Sequence, residues 1–233
     1  LDLADVLEID EGGYGLTVEA APGSRGAELA AAAGPGPGPE NLVVRALRET
    51  GRTAGVRLTK RIPVGGGLGG GSADAAAVLR WAGCADPLVA VRLGADVPFC
   101  LAGGRALVEG IGERVTPLRY ERHAFLLVVP PFGVDTARVY RAWDQGPSGG
   151  GANVLTEAAL AVEPRLSVWR DALGELAGAE PTLAGSGSTW FVEVEVEERP
   201  AGAGTAALAE LRVGAERGRL LRVATVPAGW DGG

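Results

Sequence analysis

The first twenty positions carry two short runs in which apolar Val6, Ile9, Leu16 and Val18 are interleaved with polar residues, separated by Gly12 and Gly13. That pattern predicts a pair of strands joined by a turn. Pro35, Pro37 and Pro39 then forbid regular pairing, and Glu40 or Asn41 is placed to cap a helix running through Arg48. Val56-Arg57-Leu58-Thr59-Lys60 alternates as a half-buried strand does and ends at a run of glycines. An alanine-rich helix follows Ser72, a further helical run leads to Asp96, and the next strand ends in a turn at Gly110, Gly112 and Glu113. From about residue 120 the character changes, and AFLLVVPP leads as an apolar strand to a helix containing Tyr140 and Trp143. A first domain over 1–119 and a second over 120–233 are therefore expected. Residues 158–176 read as one helix, a glycine turn lies between Leu183 and Phe191 before an alternating strand, 200–212 read as another alanine-rich helix, and the segment from Leu220 as a last strand.

Composition narrows the class. A chain of 233 residues with 46% hydrophobic content can fold around a core. Its net charge of −7 offers no basic surface for nucleic acid or an anionic membrane, and no apolar run approaches the roughly 18 residues of a membrane helix. A soluble, cytoplasmic protein without nucleic-acid or membrane partners is expected. Cys84 and Cys100 lie outside C-x-x-C spacing, and with His123 the only histidine neither a zinc site nor a Ser-His-Asp triad is supported. Both cysteines are expected to be buried as small hydrophobes. Lys60 is the only lysine and methionine is absent. The chain opens on LDLADVLEID with no secretory or transit signal, and a further N-terminal stretch is expected upstream.

The candidate chemistry concentrates in KRIPVGGGLGGGSADAAAVLR, residues 60–80. Six glycines free the backbone to turn its N–H groups outward, and Ser72 at a helix start, with Asp74 in its first turn, puts unpaired amides and the positive end of the helix dipole beside them. An anion such as phosphate fits there. The Walker pattern fails, because Gly71 stands where its lysine is required before Ser72. Gly65, Gly67 and Gly70 satisfy G-x-G-x-x-G, but no clear strand ending in an acid follows about twenty residues on, so the dinucleotide reading has little support. Lys60 and Arg61 are expected at the mouth of the loop, where cations would meet phosphate or a nucleobase.

Pro63, Leu68 within the glycines, Ser72, Asp74 and the alanine helix resemble the second motif of the GHMP small-molecule kinases. Gly94-Ala95-Asp96-Val97-Pro98-Phe99 is similar to the segment carrying that family's catalytic aspartate, and Gly185-Ser186-Gly187-Ser188-Thr189 to its third motif. The resemblance implies an α+β, two-domain fold, with a ribosomal-protein-S5-like N-terminal domain and a ferredoxin-like C-terminal domain. It also implies an ATP- and Mg2+-dependent kinase, closest to the branch acting on 4-diphosphocytidyl-2-C-methyl-D-erythritol in the non-mevalonate isoprenoid pathway, as a monomer or weak homodimer.

The same resemblance distributes roles along the chain. Asn41, Leu42 and Val43 of an E-N-L segment would line the adenine pocket. Lys60, Pro63, Gly65, Gly66, Gly67, Leu68, Gly69, Gly70, Gly71, Ser72 and Asp74 would hold ATP, with Ser72 touching Mg2+ as well. Asp96 would orient the acceptor hydroxyl or take its proton. Thr136 and the third-motif residues Gly185, Ser186 and Gly187 would approach the acceptor. The family's first motif, P-A/G-K-x-N followed by D-G-Y-H, is expected upstream of Leu1, Ala73 stands where a serine is common, and Asn153-Val154-Leu155-Thr156 replaces N-D-L-E. Two alternatives stay open: a nucleotide-binding remnant without catalysis, and another GHMP kinase of homoserine or mevalonate type.

Overall fold

The computed structural model describes residues 1–21, 37–146, 150–197 and 207–230. Strands β1 (Val6–Asp10), β2 (Gly15–Ala20) and β3 (Gly55–Lys60) form one sheet in the order β1-β3-β2. The first two strands therefore do not pair with each other, contrary to the expectation from their spacing. The link between them crosses the start of β3, where a β-carbon on Gly13 would stand 3.0 Å from the Gly55 α-carbon. Two glycines facing each other make that crossing possible. β3 is antiparallel to β1 and parallel to β2.

Helix α1 (Leu42–Glu49) is capped by Asn41, whose side chain accepts from the Val43 amide. Helices α2 (Gly70–Trp81), α3 (Pro87–Leu93) and α4 (Val97–Ala102) complete this half, and Val43, Leu58, Val78, Leu79 and Val97 share its core. A hairpin of β4 (Arg105–Glu109) and β5 (Arg114–Leu118) turns on Gly110 and Gly112.

The second sheet is antiparallel throughout, in the order β7-β8-β6-β10-β9, from β6 (Ala124–Val129), β7 (Thr182–Leu183), β8 (Trp190–Val194), β9 (Ala207–Val213) and β10 (Glu216–Ala224). Its successive residues alternate between two cores. One holds Val128, Trp190 and Val192 under helices α5 (Thr136–Gln145), α6 (Thr156–Val162) and α7 (Leu166–Ala177), with Leu166, Trp169 and Leu173. The other holds Leu127, Val129, Leu221 and Val223 against Leu3 and Ile62, residues that belong with the first half of the chain.

Two helix expectations need correction. The run 158–176 is two helices, because Pro164 lacks an amide and its ring clashes with the preceding turn. Residues 207–212 lie in β9, paired with β10 across a turn at Gly214 (φ +58°), so tertiary pairing overrides alanine's helix propensity. The rest of the predicted 200–212 helix, like Pro35, lies outside the described residues. The architecture is α+β.

Candidate functional site

A cavity of about 440 Å3 lies where the two halves meet, and most of the predicted site residues line it. Its floor is the loop between β3 and α2. Gly65, Gly67 and Gly69 have φ of +71°, +73° and +67°, a conformation that side chains resist. The loop is fastened to the segment before β8: the Ser188 and Thr189 amides donate to the Gly65 and Gly66 carbonyls at 3.1 and 3.2 Å, and the Val134 amide to Gly65 at 3.3 Å. The two glycine segments thus touch, as the third-motif reading expects, and Gly185 and Ser186 reach the cavity wall. Gly187 does not; a β-carbon there would face Leu183, Val134 and Leu166 in the core.

Helix α2 begins inside the glycines, with Gly69 as its N-cap, so Ser72 is its third residue and Asp74 lies beyond the first turn. Helical geometry leaves the Gly70, Gly71 and Ser72 amides without intrahelical acceptors at the cavity. Pro63, Leu68 and Ser72 line the same space. So do Asn41 and Leu42, whereas Val43 is fully buried in the core and its amide is taken by Asn41.

Lys60 is not a solvated cation at the loop mouth. Positions 56, 58 and 60 of β3 face inward, so its side chain is only 5% exposed and its ammonium is held by Asp5 and by Asp74, the latter at 2.8 Å. Asp5 also accepts from the Ile62 amide at 2.8 Å, fixing the chain as it leaves β3. Burial disfavours the ammonium, but Asp74 and Asp5 outweigh it and hold Lys60 above the ordinary lysine value. Burial pushes the Asp74 carboxyl up to about 7, with Lys60 pulling against it and Asp5 adding to the rise. Sequence reasoning missed Asp5; the inward register of Lys60 was the available signal, since a buried lysine needs carboxylate partners.

Asp96 stands at the N-cap position of α4, yet its side chain makes no capping bond and no hydrogen bond or ion pair among the described residues. It is exposed on the cavity wall. The Cys100 thiol, one turn on, is pushed up to about 11 by burial and then by Asp96, so it stays protonated. Both cysteines are partly rather than fully buried. From the other half, Thr136 opens α5 and its hydroxyl lies 2.8 Å from that of Ser186. Tyr140, one turn later and 49% exposed, presents its ring to the cavity, a position sequence reasoning left without a site role. In the sequence Asn153 is notable only for its altered neighbours. Its amide donates to the Leu183 and Gly185 carbonyls at 2.9 and 2.7 Å and holds the second glycine segment in place.

Residues 41–104 match the model of the GHMP kinases N terminal domain. The chain is 48% identical over 99 residues to a 4-diphosphocytidyl-2-C-methyl-D-erythritol kinase of Clostridium beijerinckii, covering 38% of this chain and 35% of that protein. It is 46% identical over 165 residues to the same kinase of Pelotomaculum thermopropionicum, covering 63% and 53%. The chain thus spans between about a third and about half of these curated relatives. A crystal structure of 4-(cytidine 5'-diphospho)-2C-methyl-D-erythritol kinase superposes with a TM-score of 0.58 at 33% identity, covering 81% of this chain and 76% of that one. On that sequence and structural likeness, the chain belongs to the 4-diphosphocytidyl-2-C-methyl-D-erythritol kinases of the GHMP kinase superfamily.

Proposed function

We propose that this chain works in transfer of the γ-phosphoryl group of ATP to the 2-hydroxyl of 4-diphosphocytidyl-2-C-methyl-D-erythritol. The observation that carries this reading is the unbonded Asp96 carboxylate on the wall of the same cavity as the glycine loop. Phosphoryl transfer needs a fixed triphosphate and an acceptor hydroxyl in line with it. The Gly65–Gly71 backbone and the first amides of α2 would fix the phosphates, and Asp96 would orient the hydroxyl or take its proton. Thr136 and Ser186, on the opposite half, would hold the sugar alcohol, and the Tyr140 ring offers a flat surface for a heterocycle.

Among the described residues no three His, Cys, Asp or Glu side chains stand together to hold a metal. Mg2+ keeps several waters and is carried largely by nucleotide phosphates. Ser72 would touch it through its hydroxyl, and the ion would supply neutralisation of phosphate charge. We further infer a domain division near residues 119 and 120, cytoplasmic action alongside ATP, and function as a monomer or weak homodimer.

Asp96→Asn should lower ADP release with the diphosphocytidyl substrate by about 10²- to 10⁴-fold while leaving ADP affinity unchanged; equal turnover would remove Asp96 from the chemistry. A second reading, nucleotide binding without transfer, is favoured by one observation. Lys60, the one lysine in these 233 residues, is engaged by Asp5 and Asp74 and is not free to meet phosphate. ATP binding with no ADP release would select it. Competition by homoserine rather than CDP would point instead to another GHMP kinase.

A further inference from the structure

Three arginines gather on one face of the second sheet. Residues two apart along a strand share a face, as do residues directly opposite in an antiparallel pair. Across β9 and β10, Arg217 stands opposite Arg212 and Arg219 opposite Glu210, and Arg219 also faces Val129, the last residue of β6. On this face Val129, Leu221 and Val223 meet Leu3 and Ile62, with Leu68 of the glycine loop packed against the same cluster. The arginines thus lie at the end of the sheet where the chain leaves β6 for Val134, whose amide holds Gly65, but they do not line the cavity.

Their charges are unbalanced. Glu210 is the one acid among the four residues, and Arg217 takes it at 3.3 Å. Arg212 and Arg217 are exposed, whereas Arg219 is half-buried, with its Nη1 out of water and without a hydrogen-bond partner. Burial lowers the Arg219 guanidinium below the ordinary arginine value with no carboxylate pulling the other way, yet arginine keeps its charge. A desolvated, unpaired cation is costly and calls for an anion. The planar fork of a guanidinium matches phosphate oxygens, and the two exposed arginines beside it suit a second phosphate.

We propose that Arg219, Arg217 and Arg212 form an anion site separate from the cavity, taking the diphosphate group of a small molecule. Arg219 anchors one phosphate and the exposed pair neutralises the other. The site does not depend on the kinase reading of the cavity.

The test is calorimetric titration with inorganic pyrophosphate, beside ATP titration of the same proteins. Arg219→Gln should weaken pyrophosphate binding at one site by about 10- to 100-fold, the range of charge-assisted hydrogen bonds, and leave ATP affinity unchanged. Without anion, Arg219→Met should unfold at higher urea than wild type, because an unpaired cation is gone, and pyrophosphate should raise its midpoint less. CDP displacing the Arg219-dependent pyrophosphate would support the site with a nucleotide as its source; pyrophosphate still bound beside excess CDP would support it with the free anion. Absence of pyrophosphate binding to the wild-type chain would overturn the proposal, whether or not the variants fold. So would equal pyrophosphate affinities in wild type and in the exposed double variant Arg212→Gln, Arg217→Gln. Parallel loss of ATP and pyrophosphate in Arg219→Gln would place Arg219 in the cavity's own phosphate hold and sink the separate site. A lower urea midpoint for Arg219→Met with pyrophosphate affinity unchanged would make it a packing residue and nothing more.

Discussion

Gly67 has no room for a β-carbon, which would stand 2.0 Å from the Ala184 carbonyl oxygen at a φ of +73°. Gly69 has a similar φ, +67°, but nothing within 4 Å. The pair separates backbone strain from loop contact. Gly69→Ala should cost about 1–2 kcal/mol, the left-handed penalty alone. Gly67→Ala should cost more and weaken ATP binding, because the two glycine segments must part; urea midpoints and ATP affinities for both variants check this, and equal losses would contradict it. Lys60 gives the pH-dependent counterpart. Its folded value lies above the ordinary 10.5, so its stabilisation is complete below that pH and is lost as pH rises through the folded value. Lys60→Met should cost about 3–5 kcal/mol near neutrality, since it strands buried carboxylates. The gap between wild type and variant should then narrow above pH 10.5, and a gap constant to pH 11.5 would refute the sign. The glycines and Asp96 were legible because their spacing is local. Asp5 was not, because its partner lies 55 residues away.

Among elements, the second glycine segment depends on support from outside itself. Asn153 donates to its Gly185 carbonyl and to that of Leu183 just before it, and accepts from the Leu155 amide at 2.9 Å, joining the start of α6 to the chain before β8. Asn153→Ala removes all three bonds, and one of the stranded partners, the Gly185 carbonyl, belongs to the loop that lines the cavity while the Leu183 carbonyl ends β7 beside it. A loss of about 1–3 kcal/mol is expected, with weaker acceptor binding and little change at the adenine end. Denaturant unfolding and KM for each substrate would show it; an unchanged acceptor KM would confine Asn153 to stability. Strands beside glycines and helices beside caps could be read from the chain, as β3 and α1 show. The order β1-β3-β2 could not, because it is set by a crossing at Gly13 and Gly55 rather than by the turn between the first two strands. β9 was misread for a related reason: its alanines favour helix locally, and only pairing with β10 makes them strand.

Across the whole molecule, the cavity exists because two sheets are held together, and a single apolar cluster does much of that holding. Leu3 and Ile62, at either end of the first sheet's chain path, pack on Leu127, Val129, Leu221 and Val223 of the second. The Asp2 amide donates to the Ala224 carbonyl and its carboxylate accepts from the Ala224 amide, both at 2.9 Å. Burial shared between the halves couples their unfolding, so loss of one should expose the other's apolar face. The chain carries its own reporters, since Trp81 packs on the first core while Trp169 and Trp190 are buried in that under α5 to α7. Single-tryptophan forms should therefore unfold at coincident urea midpoints. Ile62→Ala should cost about 2–5 kcal/mol of stability, the usual cost of emptying a core position, and lower both midpoints together. If only the Trp81 signal moved, the halves would be independent, and the cavity between them would depend on the bound substrates for its shape.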